Sequence, residues 1–237
     1  MNALGHIKPP ILRMHGVTRA YPMGNTEVLA LKGVSLDIFP SEMTAIIGRS
    51  GSGKTTLLNI LAGLDHPTSG EVWFKDQRVD LLNESDLLRL RQEHFGFVFQ
   101  SFGLLPLLSA AENIGIPLRI RQLAREEREY RVQEALEWVG LTGRSKHRPY
   151  EMSGGEQQRI ALARALAGQP ELILADEPTG QLDSHIGQQI IDLLRRIVRE
   201  RQMTVVVITH DPQVIAEADT IHELRDGALI DPQKVYS

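Results

Sequence analysis

The densest chemistry in the chain lies in Gly48-Arg49-Ser50-Gly51-Ser52-Gly53-Lys54-Thr55, which meets the phosphate-binding pattern G-x-x-x-x-G-K-[ST] at every specified position. Glycines at 51 and 53 let backbone N–H groups curl round phosphate oxygens with no side chain in the way. Lys54 supplies a mobile point charge for β- and γ-phosphates, and the Thr55 hydroxyl can ligate Mg²⁺. Gly48, Ser50, Gly51, Ser52, Gly53, Lys54, Thr55 and Thr56 are therefore expected to hold a nucleoside triphosphate. The flanks agree. Met43–Ile47 is a short apolar run that reads as a buried strand, and Lys54–Leu61 reads as the first turns of a helix whose positive end faces the same phosphates.

Leu172-Ile173-Leu174-Ala175-Asp176-Glu177 is an apolar strand that ends in two carboxylates. After a phosphate-binding loop, Asp176 fits a Walker B aspartate that holds Mg²⁺ through its water shell. Glu177 is then placed to polarise the attacking water as general base. Alone, two acids at a strand end would be read as a cap. Ser153-Gly154-Gly155-Glu156 opens another helix, with Ser153 and Glu156 spaced as a capping box. That helix start, with two glycines and a hydroxyl, is also a bare anion site.

At this point the chain resembles the ATP-binding-cassette (ABC) ATPases, whose signature is usually LSGGQ. The resemblance covers essentially everything after the N-terminal tail. It implies that Ser153, Gly154, Gly155 and Glu156 bind the γ-phosphate of an ATP held by a second copy of the chain, so that nucleotide is sandwiched in a homodimer. Other positions match the family in order. Gln100, after a Phe97–Phe99 strand, looks like the Q-loop glutamine that links the metal and water site to a helical insertion. Asp183 looks like the D-loop aspartate, a cross-dimer contact. His210, straight after Val205–Thr209, looks like the switch histidine that contacts the γ-phosphate. Tyr21, in a turn beside Pro22 and Gly24, lies where the family places an aromatic that stacks on adenine. The implied catalytic set is Lys54, Gln100, Glu177 and His210, with Thr55, Gln100 and Asp176 at the Mg²⁺.

Two departures stand out. Glu156 replaces the usual signature glutamine, which implies either slightly weakened closure or a stronger helix cap. Pro40-Ser41-Glu42 stands where the family has a glycine before the glutamate, a change expected to touch only a turn.

A finer resemblance is to the lipoprotein-releasing and macrolide-exporter (MacB/LolD) type. It is carried by stretches such as Ala30–Leu36, Leu57–Asp65, Pro67–Val72, Gly96–Phe102 and Ala175–Gly180. That class implies a transmembrane permease partner, docked near Gln100 and the apolar cluster Phe102, Leu104, Leu105, Leu107 and Leu108. The competing expectation is a soluble ABC ATPase unconnected to transport, such as an iron–sulfur cluster assembly ATPase.

The elements that must position these residues follow from patterning. Candidate strands are Ile11–Val17, Val34–Ile38, Met43–Ile47, Glu71–Phe74, Phe97–Phe99, Leu172–Asp176, Val205–Thr209, Ile221–Leu224 and Ala228–Ile230, the last two joined by an Asp226-Gly227 turn. All-apolar central strands imply a sheet covered on both faces, while the early strands alternate and read as antiparallel. Between about 101 and 169 the pattern is helical, and Ala124–Val139 and Ser184–Arg201 are periodic helices. The expected fold is α/β: a P-loop NTPase core of the ABC-ATPase kind with an antiparallel β subdomain. A helical insertion at about 101–169 interrupts the single domain of 11–237.

With 237 residues and 42% hydrophobic content the chain can bury a sizeable core. A net charge of −4 argues against a nucleic-acid partner. The lack of cysteine excludes disulfides, thiol catalysis and Cys-bound metal. No apolar run reaches membrane-span length, so no direct membrane insertion is expected. Met1–Pro10 lacks a signal-peptide apolar region and reads as a loose tail. The about 27 residues after His210 suffice for a closing hairpin and a short tail. The expected location is cytoplasmic, peripheral on the inner face of the membrane through the permease.

Overall fold

The computed structural model describes residues 8–24 and 26–230. Most of the expected N-terminal tail, and the tail after 230, lie outside the described residues. The chain forms two compact units, one from Met1–Leu87 with Thr204–Ser237 and one from Leu88–Met203.

In the first unit, β1 (Leu12–Met23) and β2 (Thr26–Ile38) pair antiparallel, with Arg13 opposite Asp37 and Tyr21 opposite Val28. β4 (Ser69–Phe74) pairs with the other side of β1 and continues into β5 (Gln77–Arg78), giving the order β2-β1-β4-β5. Alternation directs Leu12, Met14 and Val17 inward while Arg13 and His15 stay exposed. β3 (Met43–Ile47) is flanked by parallel β8 (Thr204–Ile208) and β9 (Thr220–Arg225), and β10 (Ala228–Ile230) closes antiparallel on β9. Met43–Ile46 and the whole of β8 are buried, as the continuous apolar runs require when both faces are covered. The helices of this unit are α1 (Lys54–Leu61) and α7 (Pro212–Glu217). α2 (Glu84–His94) spans the boundary between the units.

The second unit holds β6 (Phe95–Val98) parallel to β7 (Leu172–Asp176), with Phe97 opposite Leu174. Its helices are α3 (Ala110–Ile120), α4 (Arg125–Trp138), α5 (Gly154–Ala167) and α6 (Ser184–Arg201), with 3₁₀ turns at Thr142–Arg144 and Pro149–Glu151. α5 is the centre. Ile160, Ala161, Leu162, Ala163, Ala165, Leu166 and Ala167 are all buried, and the small alanines permit close approach on several sides. The indole of Trp138 joins α4 to α6. The guanidinium groups of Arg196 and Arg201 lie 4.5 and 4.6 Å from its ring centroid, Arg196 also donates to the Trp138 carbonyl, and Arg201 pairs with Glu134.

The structure differs from the sequence reading at element edges. β1 runs on to Met23, so Tyr21 lies in a strand rather than a turn. β2 begins at Thr26, well before Val34, because the exposed outer half of the hairpin lacks the apolar alternation that marks a buried strand. β6 sits at Phe95–Val98, leaving Phe99 outside it.

Candidate functional site

In the first unit, β3 ends at Ile47 and the loop from Gly48 to Gly53 leads directly into α1. Gly53 is the N-cap with φ 102°, a left-handed conformation, and a Cβ there would lie 2.5 Å from the Ala30 carbonyl oxygen. Only glycine fits. No side chain caps α1, so its first-turn N–H groups remain for an outside acceptor. The loop is braced by the β9–β10 turn, where the Gly227 amide donates to the Ser52 carbonyl at 3.0 Å. Lys54 Nζ donates to the carbonyls of Gly48 (2.8 Å) and Arg49 (3.0 Å), which keeps the ammonium over the mouth of the loop. Ser52 is buried, while Thr55 and Gly51 are exposed and Ser50 opens to solvent. An uncapped helix start after a glycine loop, an ammonium held at that loop and an exposed hydroxyl are the groups that a polyphosphate and its metal need.

Tyr21 belongs to a small cluster in the same unit. Its hydroxyl donates to Asp65 at 2.6 Å, Arg19 pairs with Asp65 at 2.6 Å, and the Arg19 guanidinium lies 4.5 Å over the ring. One face of the phenol is thus covered and the other carries any stacking. His210 is exposed two residues after β8, and Asp211 beside it caps α7 by accepting from the Gln213 amide.

In the second unit, Gln100 is exposed two residues past β6, and its Nε2 lies 3.1 Å from where a Cβ on Gly180 would be. That distance brings the glutamine to the turn that follows Asp176 and Glu177. Glu177 itself has φ 45°, a left-handed conformation unusual for a glutamate. Such conformations persist where the surroundings enforce them and cluster at working sites. Ser153 caps α5 in a complete capping box: its Oγ accepts from the Glu156 amide at 3.2 Å, and Glu156 Oε2 accepts from the Ser153 amide at 2.8 Å. The Ser153 amide, helped by Arg144, holds the Glu156 carboxyl below the usual carboxylate range. Gly155 is required by packing, since a Cβ there would fall 2.5 Å from Ile186 Cγ2. Asp183 caps α6 by accepting from the amides of His185 and Ile186 at 3.1 and 3.0 Å. The starts of α5 and α6 are therefore packed together through Gly155 and Ile186.

Three residues that the sequence reading did not single out hold this unit's loops. Gln158 is fully buried on α5 and donates to the Pro178 carbonyl at 2.7 Å, tying the signature helix to the turn after Glu177. Arg164, also on α5, donates to the carbonyls of Phe102 (3.0 Å) and Gly103, and burial lowers its pKa. Asn113 is buried and accepts from the Leu105 amide at 2.7 Å while donating to the carbonyls of Leu105, Leu108 and Ser109. Gln158 was detectable: it follows Gly154 by four residues and precedes Ala161 by three, a polar residue on an apolar helix face. Arg164 and Asn113 act on segments the sequence could not place beside them.

The sequence model of the ABC transporter family matches residues 31–180. The chain belongs to the ABC transporter family and is one of its ATPase cassettes. It is 48% identical over 221 residues to the macrolide export ATP-binding/permease protein MacB of Shigella sonnei, and 47% identical to that of Escherichia coli (strain K12). Each alignment covers 93% of this chain and 34% of the relative, so the chain spans about a third of the length of these relatives. Among solved structures, it resembles the dimeric post-hydrolysis state of the ATP-binding cassette MJ0796 bound to ADP and Pi. That match has a TM-score of 0.85 and 43% identity, and covers 93% of this chain and 97% of that one. CbiO1 from Clostridium perfringens, part of an ABC transporter complex, superposes with a TM-score of 0.85 at 28% identity, covering 94% and 88%. These relatives favour a transport-linked ATPase over a cluster-assembly ATPase.

Proposed function

We propose that the chain is the ATP-hydrolysing motor of a MacB/LolD-type transporter. Two copies close around two ATP molecules, and the closure drives a transmembrane permease. The observation that carries this reading is the presence on one chain of two helix starts suited to anions, the glycine cradle before α1 and the Ser153 turn before α5. The dimeric state of MJ0796 and the ATP-binding/permease pairing in MacB support it.

In this reading Gly48–Thr56 wrap the phosphates, and Lys54 turns from its loop carbonyls to the β- and γ-oxygens. Thr55, Asp176 and Gln100 would hold Mg²⁺, which when bound screens the phosphate charge. Glu177 accepts a proton from water as the water oxygen bonds to the γ-phosphorus and the bond to the β–γ bridging oxygen breaks, leaving ADP and phosphate. His210 contacts the γ-phosphate, and Tyr21 stacks on adenine with the ring face opposite Arg19. Ser153, Gly154 and Gly155 meet the triphosphate of the second copy, with Asp183 as a further cross-dimer contact. The helical segment at about 101–169 is the insertion that transmits closure. The permease docks at its start, near Leu105 and Leu107, and so holds the cassette on the cytoplasmic face of the membrane. No helix among the described residues is long and apolar enough to cross a membrane.

Glu177→Gln tests the core of this reading. The variant is expected to bind ATP, to lose roughly 10²–10⁴-fold in turnover, and to accumulate as an ATP-bound dimer on size exclusion. Unchanged hydrolysis would remove the role of Glu177, and a monomer saturated with ATP would remove the sandwich.

A further inference from the structure

The signature helix of this chain begins with an acid, and the structure supplies that acid with a cation from elsewhere. Glu156 Oε2 is used by the Ser153 amide, and Oε1 accepts from Arg144 Nε at 2.9 Å. Arg144 comes from the 3₁₀ turn Thr142–Arg144, so the pair is a tertiary contact rather than part of the cap. Its Nη1 lies 3.1 Å from His147 Nε2, where the guanidinium donates and the imidazole accepts. Arg144 is 46% exposed and Glu156 23%, so both charges border the surface at the start of α5.

The cap does not need Arg144. Ser153 would still donate to Glu156 without it, and the positive end of the helix favours a carboxylate there in any case. What Arg144 changes is the charge the turn presents. With the pair intact the helix start is neutral beyond its own dipole. Without Arg144 a full negative charge sits one and two residues from the Gly155 and Gly154 amides, which have no partner within the helix. A glutamine at 156 would present no such charge and require no counter-ion.

We propose that Arg144 is the counter-ion that makes this acidic signature helix competent to receive the triphosphate carried by a second copy, so that Arg144 and Glu156 work as one unit in closure. The proposal rests on the sandwich reading above. Arg144 is a positioning residue: it acts through the charge of Glu156, not by contact with the reacting atoms.

The test is a charge cycle in the Glu177→Gln chain, reading Mg²⁺–ATP-dependent dimerisation by sedimentation velocity. Arg144→Met is expected to weaken the dimer roughly ten-fold or more, the effect of one uncompensated charge a few ångströms from phosphate in a half-wet interface. The double variant of Arg144→Met with Glu156→Gln is expected to dimerise as well as Glu156→Gln alone does, since the two residues share one interaction. Arg144→Lys keeps the charge and is expected to dimerise. ATP affinity of the single copy should be unchanged by Arg144→Met. An undiminished dimer with Arg144→Met, or a double variant as weak as Arg144→Met, overturns the proposal while leaving the sandwich intact. No ATP-dependent dimer in the parent overturns the sandwich and the proposal together.

Discussion

At the scale of single residues, the departures from the family pattern are where the structure adds most. Ser41 replaces a glycine and takes φ 63°, with its amide donating to Thr204 Oγ1 at 3.1 Å. The turn thus keeps the glycine conformation without the glycine. Ser41→Gly is expected to stabilise the fold by about 0.5–1 kcal/mol, a rise in Tm of roughly 1–4 °C for a chain of this size. Differential scanning calorimetry checks it, and a fall in Tm would mean that the serine side chain outweighs the backbone strain. The sequence showed the missing glycine, but the sign of φ depends on how β2 must turn into β3. Glu156 is the second departure. Both readings of it, as cap and as unwelcome charge, were open from the sequence, because its partner Arg144 is twelve residues away across a turn.

At the scale of elements, the loop after Gln100 is held by polar side chains from two helices, Arg164 of α5 and Asn113 of α3. Phe102 and Gly103 both have φ 61°, and Arg164 holds their carbonyls. Asn113 then gathers Leu105, Leu108 and Ser109, four residues ahead of Pro117, whose missing N–H leaves the Asn113 carbonyl without its usual helical donor. The loop so fixed leaves Leu105 51% and Leu107 79% exposed. Apolar side chains on a rigid loop suit a docking helix. Leu107→Glu is expected to leave hydrolysis by the isolated cassette within about two-fold, as a surface change away from the site, and to abolish co-purification with the permease. If assembly and hydrolysis are both unaffected, docking lies elsewhere. The apolar cluster was legible as a run of leucines, but which of them face out was not. α2 is largely polar and carries only a faint apolar pattern. It buries little beyond Leu87 and Leu90, although the Asn83 cap on the Asp86 amide was detectable as a start signal.

At the scale of the whole molecule, stability is expected to depend on pH through His222 on β9. Its Nε2 is buried with no hydrogen-bond partner among the described residues, in a cleft lined by Met14, Leu36, Phe39, Trp73 and Asp37. Burial pushes its pKa below the ordinary 6.5, against an upward pull from Asp37. The native state therefore holds the imidazole neutral where the unfolded chain would protonate it. The resulting stability is fully present above about pH 6.5 and is lost as pH falls from there through the folded value. Denaturant titrations between pH 8 and 5.5 should show the parent losing more stability than His222→Gln. Equal losses would show that His222 does not carry the dependence.

The local frame of the candidate site could be read from sequence alone, because apolar runs, glycine loops and capping boxes each act over a few neighbouring residues. Strands β3, β7 and β8, the start of α1 after Gly53 and the Ser153 cap were legible for that reason. Only the tertiary structure decided that Gly155 is required by Ile186, that Gln158 and Arg164 anchor loops distant in sequence, and that Glu156 meets Arg144. Those contacts join segments whose separation along the chain says nothing about their separation in space. There the packing of α5 against its neighbours, rather than any local pattern, determines which charges and carbonyls meet.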